Sequence, residues 1–94
     1  MEQIVPVQGP VPLAPVLDRL AAAGCPCTVL MIDGALWPPG RPVPDGWREA
    51  RLKTPAGMVT LARRPDGIAL VVFGNAGDEL RAAQAAIARA LVGG

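Results

Sequence analysis

WREARLKTPAGMVTLARRPDGIALVVF, residues 47–73, is the stretch that decides the fold. Two breaks, Thr54-Pro55-Ala56-Gly57 and Arg64-Pro65-Asp66-Gly67, divide it into three segments of strand length: Trp47 to Lys53, Met58 to Arg64 and Ile68 to Phe73. Each break has proline second and glycine fourth, which suits a type I turn followed by a left-handed glycine bulge. Short strands joined by such turns make an antiparallel meander. The last segment, IALVVF, has six consecutive apolar residues, whereas a strand with one face in water alternates. It reads as a strand covered on both faces. The rest of the chain offers only two helices, so a loop, a second subunit or a ligand is expected on the second face.

Outward from the meander, Glu2 to Gln8 (EQIVPVQ) reads as a short edge strand, because Pro6 removes a ladder donor. PLAPVLDRLAAAG carries a helical stripe at Leu13, Val16, Leu17, Leu20 and Ala21. Pro15 fits its first turn and Gly24 its C-terminal stop. Cys27 to Ile32 (CTVLMI) is a strand, and Asp33-Gly34 is the dipeptide of a two-residue hairpin leading into Ala35 to Trp37. Pro38 to Gly46 (PPGRPVPDG) is a stiff, extended loop. After IALVVF, Gly74 to Gly77 breaks the strand. Asp78 is placed to cap a final helix running to about Val92, with a stripe of Leu80, Ala83, Ile87 and Leu91.

The order β-α-β-(short β)-β-β-β-α is an α+β pattern in one domain, residues 1–94. It predicts a curved antiparallel sheet with two helices packed on one face. The topology is similar to the TATA-box-binding-protein-like architecture, a likeness of element order that carries no motif and no function.

The turns fix which residues share a face. A glycine bulge at each turn pairs Thr54 with Met58 and Arg64 with Ile68. One face then carries Ala50, Leu52, Met58, Thr60, Ala62, Ile68, Leu70 and Val72, and is expected to take the helices. The other carries Trp47, Glu49, Arg51, Lys53, Val59, Leu61, Arg63, Val71 and Phe73, an apolar centre with a basic flank. A slip of one residue at the first turn instead sets Leu52 beside Val59 and gathers the charges on the opposite face. IALVVF is apolar on both sides in either register.

Composition narrows the function classes. The 94 residues are 51% apolar and 18% charged, enough to fold around a thin core. Nine basic and eight acidic residues leave a net charge of +1, so no overall field draws the chain to nucleic acid or anionic membrane. No apolar run is long enough to span a bilayer. MEQIVPVQGP has no basic n-region, so no secretory signal is read and the cytoplasm is the expected location.

Histidine is absent. That removes the commonest general base, the Ser-His and Cys-His couples, and most mixed zinc sites. Cys25-Pro26-Cys27 has the wrong spacing for a redox pair and too few ligands for a structural zinc site, unless a dimer shares the metal. Asp33 and Asp45 each precede a glycine and read as turn chemistry. No catalytic residue, metal ligand or cofactor is therefore expected, and the chain reads as non-enzymatic. The primary expectation is self-association, as a homodimer, or a protein partner on the apolar sheet face. A second is a small anionic ligand or peptide clamped by Arg51 and Arg63 and packed by Trp37, Trp47 and Phe73. A third is nucleic acid on the same face, through Arg48, Arg51, Lys53, Arg63 and Arg64 beside Trp47. The residues placed at the site are Trp37, Trp47, Arg51, Lys53, Arg63 and Phe73. Trp37 has two readings, as a lid over the sheet or as an exposed anchor.

Overall fold

The computed structural model of the protein describes residues 2–73 and 77–93. Its elements are β1 (Glu2–Val5), α1 (Leu13–Ala22), β2 (Thr28–Ile32), β3 (Ala35–Leu36), β4 (Glu49–Thr54), β5 (Gly57–Arg64), β6 (Gly67–Val71) and α2 (Asp78–Leu91). The six strands form one curved sheet of order β1-β6-β5-β4-β2-β3, antiparallel at every pairing. This is the expected α+β architecture, and its element order is consistent with the TATA-box-binding-protein-like likeness. IALVVF is not an edge: β6 lies between β1 and β5. The expected break at Gly74, Asn75 and Ala76 lies outside the described residues.

Local chemistry explains most of the boundaries. α1 ends in a Schellman motif: Gly24 adopts φ +81, its N–H donates to Ala21 O, and Cys25 N–H donates to Leu20 O at 2.9 Å. Asp33 and Gly34 both have positive φ, 50 and 83, the signature of a type I′ hairpin. α2 starts differently from expectation. Gly77 is its N-cap and no side chain caps it. Asp78 lies inside the first turn, where its charge favours the positive end of the helix dipole.

The meander register corrects the bulge reading. Thr54 pairs with Gly57 and Arg64 with Gly67, so both turns are two-residue loops without the extra residue. The Thr54 hydroxyl gives the reason at the first turn. Its Oγ1 accepts the N–H groups of Ala56 and Gly57, each at 3.1 Å, and donates to Gly57 O at 2.7 Å. Those bonds hold Gly57 directly across from Thr54. The slipped register follows, with Leu52 opposite Val59 and Ala50 opposite Leu61.

Every β5 side chain therefore changes face relative to the bulged register. Val59 and Leu61 point to the helices and are fully buried. Burying two such side chains is worth about 1.5–3 kcal/mol each, and the bulged pairing would have put Met58 and Thr60 in their place. The core joins Ala50, Leu52, Val59, Leu61, Ile68, Leu70 and Val72 to Leu13, Val16 and Leu20 of α1 and Ile87, Ala90 and Leu91 of α2. Gln84 of α2 is buried among them and donates to Leu70 O at 3.4 Å, which satisfies a polar group the apolar stripe had not placed inside.

Candidate functional site

The side of the sheet away from the helices is the open face. By register it carries Glu2 and Ile4 of β1, Ala69 and Val71 of β6, and Met58, Thr60, Ala62 and Arg64 of β5. Glu49, Arg51 and Lys53 of β4, Thr28 and Met31 of β2 and Leu36 of β3 complete it. Its centre is made of small side chains: Thr60, Ala62 and Ala69 are 8%, 7% and 0% exposed. Ala62 and Ala69 are buried yet lie outside the main core cluster. Larger apolar side chains flank them, Ile4 directly opposite Ala69 and Met58 one step along β5, 37% and 54% exposed, while Leu36, 81% exposed, stands at the far edge of the face beyond Met31 and Arg51. Phe73, just beyond β6, is 76% exposed.

The six residues expected to form one site are dispersed. Arg51 and Lys53 lie on the open face, where the Arg51 guanidinium sits 3.7 Å from Met31 Sδ. Arg63 lies on the helix side, opposite Ile68, and its Nη2 donates to Gly9 O at 2.6 Å. Arg51 and Arg63 thus occupy opposite faces and form no common clamp. Trp47 is a core residue, 2% exposed, with its indole N–H donating to Val11 O at 2.7 Å. The Val59-Leu61-Val71-Phe73 patch does not exist as one surface, because Val59 and Leu61 face the helices. Met58, Leu36 and Ile4 take its place. The slipped register alone would have found Met58 from sequence.

Trp37 does not lie over the open face. It shares a cavity of about 490 Å³ with Leu17 of α1, Val29 of β2 and the prolines of its own loop, on the helix side of β2. The loop folds back on itself there: Trp37 Nε1 donates to Arg41 O at 3.0 Å, and the Arg41 guanidinium stacks 4.2 Å from the ring centroid. Trp37 is half-buried against the core, closer to a lid on the α1 side than to a free anchor.

The basic residues are likewise divided. Arg51, Lys53 and Arg64 share the open face with Glu49 and Glu2, the latter 3.4 Å from Arg64. Cys27 is a half-buried thiol whose pKa is pushed up to about 12, first by burial and then by neighbouring Cys25. At neutral pH it is therefore protonated and a poor nucleophile. Among the described residues no cluster of three acidic or cysteine side chains is placed to hold a metal ion, and no helix is long and apolar enough to cross a membrane. No protein family, curated protein or solved structure matches the chain, so what it does rests on the open face and its surroundings.

Proposed function

We infer that the protein acts as a non-enzymatic association module whose open sheet face binds a second copy of the same chain. The observation that carries the reading is the combination of a small-residue centre with exposed Met58, Leu36 and Ile4 on a face that no helix covers. Large apolar side chains standing proud of small, already sheltered ones offer apolar area for a second surface to cover. The sheet edges favour face-to-face contact over strand addition. β1 has four residues and runs into Pro6, while β3 has two and runs toward Pro38. Short, proline-terminated edges resist edge pairing.

Two features favour a copy of this chain over an unrelated partner. A net charge of +1 sets up little repulsion between copies. The face also mixes Glu49 and Glu2 with Arg51, Lys53 and Arg64, so a two-fold operation brings unlike charges within reach. A standard interface takes about 800 Å² per partner, roughly one seventh of the 5425 Å² surface. Sedimentation equilibrium across the micromolar range is the test. The wild type is expected to dimerise, and Met58→Lys to sediment as a monomer with an unchanged circular dichroism spectrum. A wild type that stays monomeric throughout, or a Met58→Lys dimer of equal strength, would overturn the reading.

A further inference from the structure

A cleft of about 500 Å³ lies where three segments meet: residues 7–10 after β1, 45–48 before β4, and 63–66 at the β5–β6 turn. Three arginines line it, Arg48, Arg63 and Arg64. Arg63 is the unusual one. It continues the β5 row of Val59 and Leu61, whose other members are in the core, yet it ends in a guanidinium. That group lies at the protein surface and is held by the Gly9 carbonyl, a neutral partner, at 2.6 Å. One of its five N–H donors is thereby used and its position is fixed. The backbone of Arg48 is fixed too, its N–H donating to the Asp33 carboxylate at 2.8 Å. Asp45 and Asp66 line the same cleft, but among the described residues neither forms an ion pair, and the one ion pair joins Arg64 to Glu2.

We propose that this cleft binds a small oxyanion, a phosphate or carboxylate headgroup, gripped by Arg63 and Arg48. Planar guanidinium forks donate paired, charge-assisted hydrogen bonds to such groups. A guanidinium already positioned by Gly9 has less rotamer freedom to lose on binding. Asp45 and Asp66 hold the local field low, so the site selects by the geometry of the oxyanion rather than by charge alone, and chloride competes poorly.

The test is an amide NMR titration of the intact protein with sodium phosphate and, separately, sodium acetate, with sodium chloride balancing the ionic strength. Saturable shifts confined to residues 7–10, 45–48 and 63–66 are expected, and the anion that produces them identifies the headgroup. Arg48→Gln, at an exposed side chain, is expected to weaken binding about tenfold. Arg63→Met is expected to abolish it, while Arg81→Gln on α2, outside the cleft, leaves it unchanged. Should Arg63→Met fail to fold, Arg48→Gln decides alone. Absence of saturable shifts with either anion, or equal binding by wild type and Arg48→Gln, would overturn the proposal. Neither result bears on dimerisation, which is read at Met58.

Discussion

Gly67 occupies a position where no other residue fits. Its φ of +151 lies in a region that side-chain-bearing residues rarely adopt, and a Cβ there would collide with the Val5 carbonyl oxygen of β1. Gly57, its counterpart at the other turn, has φ +143 but a different neighbourhood. A Cβ there meets only the Leu80 methyl groups, at 3.5 and 3.6 Å, which is ordinary contact. Gly57→Ala is therefore expected to cost the backbone strain alone, about 1–2 kcal/mol. Gly67→Ala adds a clash with backbone that belongs to a neighbouring strand, and about 3 kcal/mol or more is expected in total. Urea unfolding of the two variants checks the difference, and equal losses would show that β1 moves aside freely. Both glycines were legible in the sequence as turn residues. Their conformation was not, because a proline-second, glycine-fourth break is compatible with more than one turn, and at the first of them the Thr54 hydroxyl makes the choice.

At the scale of elements, helices were read more securely than strand faces. Leu13, Val16 and Leu20 sit inside as their spacing implies, since a helical stripe is set by local geometry. A strand's face depends on a register decided at its turn, and one residue of slip moved Val59, Leu61 and Met58 together. The β2–β3 hairpin shows how such a register is held. Asp33, at the turn, reaches across to the start of β4, where its Oδ1 accepts the N–H groups of Glu49 at 2.9 Å and Arg48 at 2.8 Å. Those bonds, Glu49's foremost, lower the Asp33 pKa below the ordinary carboxylate value. A depressed folded-state pKa means that the contribution is complete above the unfolded-state value, about 3.9. It is lost as pH falls through the lower folded-state value. Asp33→Asn keeps an acceptor and tolerates the φ of +50 but has no charge to lose. The wild type is thus expected to be the more stable of the two at pH 7, with the gap closing below about pH 4. Thermal unfolding at the two pH values measures it, and a gap that persists in acid would assign the difference to something other than the carboxylate.

For the whole molecule, the question posed by IALVVF has a divided answer. Ile68, Leu70 and Val72 enter the core. Ala69 is buried on the open face, directly opposite Ile4 and Ala62, so sheet neighbours account for part of the missing alternation. The remainder is Val71, half-buried, and Phe73, exposed at the margin, together with Met58, Ile4 and Leu36. No single strand displays that surface; it becomes visible only when β1 and β5 are assembled on either side of β6 and β3 closes the far edge of the sheet, which is why the sequence located the excess of apolar residues but not their neighbours. A face of this kind makes stability depend on concentration if a second copy occupies it, because association draws on the native state and not the unfolded one. For a dimer that unfolds to separate chains, a tenfold rise in concentration is worth RT ln 10 per dimer, about 0.7 kcal/mol per chain. With an unfolding entropy near 2.1 cal/mol/K per residue, that raises Tm by about 3.5 °C for a chain of this length. The wild type is expected to show this rise, whereas Met58→Lys unfolds at one temperature at every concentration. A wild-type Tm that does not move would place the stabilising contacts of the open face entirely within one chain, with Ile4, Val71 and Arg51 sheltering the small residues between them.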